Sequence, residues 1–354
     1  VSDLIRAIRA AAGLFRLTRR GLICVEGGDR VRWLDGMLSN DIASLEPGPQ
    51  RSGCPALLLT RTGRIQADPQ VLILGDDLWL ELDGDAVRAT LATLEKFIIA
   101  DDVRLRDGSA DVERLALEGP QAARIVDELA GRALGLARDA AIRVELAGVD
   151  CVVGAWGVSG MEARQLFVPS GSGEPVIRAL LEVGAPWGLV EADPDSLEIL
   201  RIEAGVPRLG AELDEEVLPP EARLERALSF DKGCYRGQEI VARLASHGGV
   251  KHFLVGFVCD GDEPPEVDTP VHSSGESSGE SKGESDGRAP RRIGEVTSSC
   301  RSPSLGPIAL GYARQPHDQP GTLVQIGNCR ARVSALPFHR PEGRPERPPE
   351  PQPD

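Results

Sequence analysis

Asp231-Lys232-Gly233-Cys234-Tyr235-Arg236-Gly237-Gln238-Glu239 sets one cysteine between two glycines, beside Lys232 and Arg236 and just ahead of a helical pattern. A cysteine is a nucleophile or metal ligand only as thiolate, and nearby cations and a helix N-terminus favour that form. Gly233 and Gly237 permit left-handed backbone and close approach to a ligand. The following Gln238-Glu239-Ile240-Val241-Ala242-Arg243-Leu244 carries its acid early and its base late, as the helix dipole favours. The local pattern is a loop that presents a thiol at a positive helix end. Free cysteine is also among the most buried residue types, so ordinary packing competes with reactivity at Cys234. The residues of the loop leave those two alternatives open.

The whole chain bounds what such a loop can serve. Its 354 residues fit two or three domains at ~100–200 residues each. Aromatics make up only 4%, so Leu, Val, Ile and Ala must pack the cores. A net charge of −15 argues against a nucleic-acid binder that works through phosphate contacts. Cys24, Cys54, Cys151, Cys234, Cys259, Cys300 and Cys329 are scattered, odd in number and free of any Cys-x-x-Cys pair. That usage fits a reducing compartment. The five histidines show no ligand spacing, so no metal site is expected. No run approaches the ~18 apolar residues of a membrane span. Ser2 to Leu17 reads as an amphipathic helix without a signal-peptide core. The chain opens on Val1, which leaves a leader open, and cytoplasm is the expected compartment.

Strands and helices alternate along the chain. Gly21–Val25 reads as strand, and Asp29–Leu38 as a helix with Val31, Leu34, Met37 and Leu38 on one face. Ala56–Thr60, Ile65–Leu74 and Asp77–Leu82 read as strands, with a hairpin turn at Arg61–Arg64. Val87, Leu91, Leu94 and Ile98 mark a helical stripe. Glu113–Leu117, Val144–Val158 and Gln165–Val168 are strand-like, between helices from Pro120 to Ala130 and Val176 to Leu181. Such alternation implies α+β layers. Phe253–Val258, Ile293–Thr297, Ala309–Ala313, Leu323–Ile326 and Ala331–Val333 form a C-terminal β-domain. Its interior Ser-Gly-Glu repeat lacks apolar residues, so 262–291 is expected to be a disordered insertion and 341–354 a disordered tail.

Asp193-Pro194 starts a helix that stops at Gly205. On it, Glu203 projects between Ile199 and Leu200, on the apolar side. A carboxylate there needs an answer. An internal partner, a ligand with paired NH donors, and fraying into solvent are three comparable answers.

Lys232–Glu239 closely resembles the signature of the YgfZ-type folate-binding proteins. These are relatives of the glycine-cleavage T-protein and include a branch that assists iron–sulfur protein maturation. Leu200–Gly205, Pro219–Ala222, Leu38-Ser39-Asn40-Asp41, the glycine-centred hairpin Leu59–Asp68, and Gly294–Ser298 with Ile308–Tyr312 resemble further elements of that family, in order, across most of 20–335. The resemblance implies a ring of two intertwined α+β lobes (1–250) and a C-terminal β-barrel (251–340), with tetrahydrofolate in the central opening. It places Glu203 on the pterin, and Asn40 and Asp41 along the same cavity. Cys234 becomes the reactive group at the rim, assisted by Lys232, with Gly233 and Gly237 setting the loop and Tyr235 packing on ligand or partner.

Departures limit the carry-over. Glycine-cleavage T-proteins lack this cysteine signature. Their hairpin has two adjacent acids where this chain has Gln66-Ala67-Asp68-Pro69, so only Asp68 can stand in for an aminomethyl-transfer acid. A cap on the Pro69 turn is an equal alternative for it. The leading expectation is therefore a folate-binding protein that supports iron–sulfur assembly or repair, with iron–sulfur client or assembly proteins as partners. The rivals are a folate-dependent aminomethyl or methyl (C1) transferase and a ligand-free interaction module.

Overall fold

In the computed structural model, residues 2–247, 249–274 and 291–338 are described. The core of the N-terminal two thirds is two sheets stacked face to face between outer helices. One sheet has the strand order Gly53–Pro55, Gln70–Leu74, Asp77–Asp83, Arg20–Glu26, Arg104–Asp107. The other runs Ala141–Leu146, Val149–Gly154, Ala163–Pro169, Val112–Glu118, Ala12–Arg16, Leu189–Glu191.

Period-two alternation explains the layering. Ile23, Val25, Val71, Ile73 and Leu80 point to one face and pack against the helices Arg30–Met37 and Val87–Glu95 through Trp33, Leu34, Val87 and Leu94. Their alternates Leu22, Cys24, Leu72 and Leu74 point the other way, onto Ala141, Val152 and Phe167 of the second sheet. That sheet covers its far face with the helices Ala122–Leu129 and Gly173–Gly184. Ser52 ties the lobes: its Oγ donates to the Ala141 carbonyl at 2.6 Å and accepts from the Ala141 amide at 2.8 Å.

Three expectations change. Ser2–Leu17 is not one helix: it is a helix Ser2–Ala10 followed by the strand Ala12–Arg16. That strand is parallel to Leu189–Glu191 and antiparallel to Val112–Glu118, and this pairing outweighs the helical propensity of the alanine run. The N-terminal segment thus belongs to the second lobe, which makes the lobes intertwined in sequence. Ile65–Leu74 is also broken. Ile65–Ala67 pairs with Leu58–Leu59 in a small separate sheet, while Gln70–Leu74 joins the large one. The chain changes sheets at Asp68-Pro69. Finally, 262–274 is not an unstructured start to an insertion, because Pro270–Ser273 is a strand whose Val271 is fully buried. Residues 275–290 and 341–354, the rest of the expected disordered segments, lie outside the described residues.

The C-terminal strands close into a six-stranded barrel, in the order His252–Cys259, Gly306–Arg314, Arg292–Ser302, Pro270–Ser273, Leu323–Ile326, Cys329–Ser334. Helix Pro194–Ala204 packs on it. Asp193 caps that helix on the Ser196 amide at 2.7 Å, and Gly205 ends it in the left-handed region at φ 66°. The segment around Leu213, Ala222 and Leu228, which packs on Leu57, Leu59 and Ile65 of the first lobe, reaches the barrel separately: the Leu254 amide donates to the Glu221 carbonyl at 2.8 Å and Arg223 Nε to the Leu254 carbonyl at 2.9 Å. Each unit therefore touches the other two. Among the described residues no helix is long and apolar enough to cross a membrane.

Candidate functional site

The signature loop is anchored chiefly through Lys232 and Arg236. The Lys232 side chain is 2% exposed. Its ammonium donates to the carbonyls of Asp35, Leu38 and Asn40, the last two at 3.1 and 2.6 Å, and to Asp35 Oδ1 at 3.0 Å. These acceptors sit at the C-terminal end of helix Arg30–Met37, where unpaired carbonyls favour a cation. Lys232 is thus a helix cap delivered from more than 190 residues away in sequence, its ammonium occupied by these acceptors. Arg236 is turned elsewhere too: Nη1 donates to Gln66 Oε1 at 2.8 Å and the guanidinium lies 5.1 Å from the Phe97 ring centroid.

The glycines divide. Gly237 has φ +83°, and a Cβ there would sit 2.6 Å from the Thr60 carbonyl oxygen. That close approach seats the loop on the Leu58–Ala67 hairpin. Gly233 is outside the left-handed region and faces open space, so neither sterics nor dihedral requires glycine there. Tyr235 is buried among Leu57, Leu59, Ile65, Leu213 and Val241, and its hydroxyl has no hydrogen-bond partner. Cys234 is exposed, whereas the other six cysteines are buried or half-buried.

Asn40 and Asp41 are turn formers where a cavity lining was expected. Asn40 Nδ2 donates to the Pro55 and Arg226 carbonyls at 2.7 and 3.1 Å, and its Oδ1 accepts from the Asp41 amide. Asp41 Oδ1 accepts from the Ser44 amide at 3.1 Å. Both act on backbone, which fixes the stretch after helix Arg30–Met37 against the segment before the signature.

Glu203 is answered internally. The residue is 4% exposed. Oε2 accepts from Arg9 of the N-terminal helix, and Oε1 from Ser302 Oγ of the barrel at 2.6 Å. The Glu203 carbonyl accepts from the Phe338 amide at 2.9 Å. This carboxylate joins the second lobe to the barrel.

Asp68 behaves differently. The strand faces that meet between the sheets are apolar at one end and charged at the other. Arg20 follows the alternation of Leu22 and Cys24; Glu81 follows Trp79; Gln70 precedes Leu72; Arg114 and Gln165 lie beside Phe167. Arg20 holds Glu81 with two bonds, Nη2 to Oε2 being 2.8 Å. Arg114 of the facing sheet reaches Glu81 Oε1 at 3.0 Å and stacks on Phe167, 3.5 Å from the ring centroid. Asp68 arrives at this cluster from the sheet switch, and its Oδ1 is buried with no partner.

The electrostatics follow from that arrangement. Burial works against ionised Glu81, but Arg20 and Arg114 outweigh it and hold its carboxyl below the ordinary range. Burial and then repulsion from Arg20 push Arg114 down to about 10, although Glu81 opposes them. Burial pushes Asp68 up to about 6; Arg20 opposes that shift and Glu81 adds to it. The Asp68 carboxyl can therefore gain or lose a proton near neutral pH, beside a guanidinium that is 29% exposed at Arg20.

Arg20, Glu81, Arg114 and Gln165 were absent from the sequence-based candidates. Each lies within or at the end of a largely apolar strand, where a polar residue ordinarily means a strand end or a solvent face. The only available signal was the coincidence of four such strands.

Residues 1–232 match the GCVT N-terminal domain, and 253–340 the glycine cleavage T-protein C-terminal barrel domain. The chain belongs to the glycine cleavage T-protein family. It is 32% identical over 345 residues to an aminomethyltransferase of Streptomyces avermitilis, covering 94% of this chain and 88% of the relative. It is 31% identical over 342 residues to one of Saccharopolyspora erythraea, with the same coverage. Its fold matches the glycine cleavage system aminomethyltransferase T of Bartonella henselae with a TM-score of 0.80 at 24% identity, over 95% of this chain and 89% of that one.

Proposed function

We propose that this chain binds tetrahydrofolate and acts on a one-carbon unit, as an aminomethyl or methyl transferase, with Asp68 moving the proton. The observation that carries the reading is Asp68 Oδ1, an enclosed carboxylate oxygen without a partner, on a carboxyl pushed up to about 6. Similarity to proteins named aminomethyltransferase along 94% of the chain supports it. When bound, tetrahydrofolate supplies ring nitrogens that carry the one-carbon unit.

The residues fit such a ligand at one place and resist it at another. Asp68 offers an open acceptor, or a donor when protonated, and Arg20 a part-exposed cation. Glu203 already holds Arg9 and Ser302, so it would receive a pterin only with Arg9 displaced. Around Asp68, Arg20 and Glu81 fix each other bidentately, so the site charge is set before a ligand arrives. The Arg236–Gln66 bond steadies the hairpin that delivers Asp68. Turnover of methylene-tetrahydrofolate with an amine donor, measured beside tetrahydrofolate calorimetry, tests this. Loss of turnover in Asp68→Asn with binding retained is expected. Unchanged turnover would reject the proton role, and absence of binding in the wild type would reject the folate.

A second reading rests on Cys234. It is the exposed cysteine of the seven, on a loop anchored through Lys232 and Arg236, within a Lys-Gly-Cys-Tyr-Arg-Gly-Gln-Glu run that resembles the YgfZ signature. That supports a role beside tetrahydrofolate in iron–sulfur protein assembly or repair in the cytoplasm, acting on client or assembly proteins. One thiol is a poor cluster scaffold, so a stable cluster would need ligands from a partner. Restoration of iron–sulfur enzyme activity in a null strain by Cys234→Ala, as fully as by the wild type, would eliminate this role.

A further inference from the structure

The barrel carries a pair of cysteines that neither the folate site nor the signature loop involves. Cys259 ends the strand His252–Cys259, and Cys329 begins Cys329–Ser334. The two strands are antiparallel neighbours with Cys259 opposite Ala331, so Cys329 is one diagonal step away on the same, inward face. Cys259 is part of the barrel core and Cys329 packs against it, half-buried at the rim. The Cys329 sulfur lies 2.6 Å from the carbonyl oxygen of Asp260, the residue that follows Cys259. Next to them the Asp260 amide donates to the Arg330 carbonyl at 2.8 Å, which fixes the strand ends beside each other.

We propose that Cys259 and Cys329 are a redox-active dithiol that closes to a reversible disulfide across the rim of the barrel. The co-reactant is a low-molecular-weight disulfide. Cys329, the more accessible thiol, loses its proton to solvent and attacks one sulfur of that disulfide. The small disulfide bond breaks, one small thiolate leaves, and a mixed disulfide forms on Cys329. Cys259 then loses its proton and attacks the Cys329 sulfur, expelling the second small thiolate. Both leaving thiolates take up a proton, so one protein dithiol and one small disulfide become one protein disulfide and two small thiols.

Both thiols resist ionisation. Burial pushes Cys259 up to about 12, with Cys329 adding to it, and burial raises Cys329 while its interaction with Cys259 opposes the shift. Closure is therefore slow, which suits a response to sustained oxidation. A diagonal pair is not an ideal disulfide frame, and strain of that kind makes a bond easily reduced. The bond would join the first and last barrel strands at the end where the strand pairing stops.

Full-length protein carrying Cys234→Ser, to remove the exposed thiol, would be incubated with oxidised glutathione, alkylated after unfolding, and analysed by peptide mass spectrometry. The expected result is loss of two alkylatable thiols, a cross-linked peptide joining Cys259 to Cys329, and a raised melting temperature that dithiothreitol restores. Adding Cys259→Ala should instead leave glutathione attached to Cys329, and adding Cys329→Ala should leave Cys259 unmodified. Lasting glutathione on Cys329 while Cys259 is intact would overturn the proposal. So would both thiols remaining alkylatable after prolonged exposure.

Discussion

The signature loop and the charged end of the inter-sheet layer are both rich in polar groups, and they use them in opposite ways. In the loop, Lys232 saturates the end of a helix, Arg236 is tied to Gln66, and Gly237 is fixed by contact with Thr60. The Cys234 thiol lies on the outside. In the inter-sheet layer, Arg20 and Glu81 pair bidentately with Arg114 3.0 Å from the same carboxylate, and a buried Asp68 oxygen is left without a partner. A stretch dense in chemically capable residues is thus mostly architecture, while strands that look ordinary converge on an unpaired carboxyl. Identity in a motif tells which residues are needed, and geometry tells what for.

The comparison breaks first at Lys232. Lys232→Met removes the ammonium from the carbonyls of Leu38 and Asn40 and from Asp35 Oδ1, which keeps only the Ile42 and Ala43 amides. A loss of about 3–5 kcal/mol is expected, as for a severed buried ion pair, in urea unfolding followed by circular dichroism. A loss below about 1 kcal/mol would mean that the cap is replaceable and that the lysine serves something else. Gly237→Ala comes next. Its φ of +83° and the 2.6 Å approach to the Thr60 oxygen should together cost about 2 kcal/mol. Gly233→Ala, at a position with neither constraint, should change stability by less than about 0.5 kcal/mol. Equal effects at the two glycines would remove the distinction between them.

Elements whose partners are local were legible in the sequence. Asp193-Pro194 and Gly205 bounded a helix correctly because cap, first turn and left-handed stop all lie within it. Partners brought from a distance were not. Nothing near Glu203 announces Arg9, and nothing near Lys232 announces the end of a helix more than 190 residues earlier. The family resemblance identified the fold and its barrel; it selected Gly237 as a residue that sets the loop, and it selected Lys232 for the thiol, whereas the Lys232 ammonium caps a helix end. The strand Pro270–Ser273 escaped notice because its one buried side chain, Val271, stands beside a low-complexity repeat.

Asp68 gives the next effect, and it depends on pH. Its carboxyl is pushed up to about 6 from the ordinary 3.8, so between those values the folded chain binds more protons there than the unfolded chain. Stability contributed by this group is then full below about pH 4 and lost as pH rises through about 6. Asp68→Asn removes the cost of the buried charge. It should raise stability by about 1–2 kcal/mol at pH 7.5 and by little at pH 4.5. Urea midpoints of both proteins at the two pH values measure this. A variant that is less stable at pH 7.5 would show that Asp68 is a structural partner of Arg20, and that the open oxygen is not held in reserve for a ligand.

The smallest structural effect belongs to Cys234, and that is what makes the residue informative. Its side chain is exposed and its neighbours are anchored without it, so Cys234→Ser should shift unfolding by less than about 0.5 kcal/mol. Tetrahydrofolate affinity should also be unchanged, because no polar group of the Asp68 cluster depends on the thiol. Any defect of this variant in iron–sulfur enzyme activity would then be a property of the sulfur itself. A defect that tracked lost folate affinity would instead place the thiol within the ligand site, and the two regions would form one.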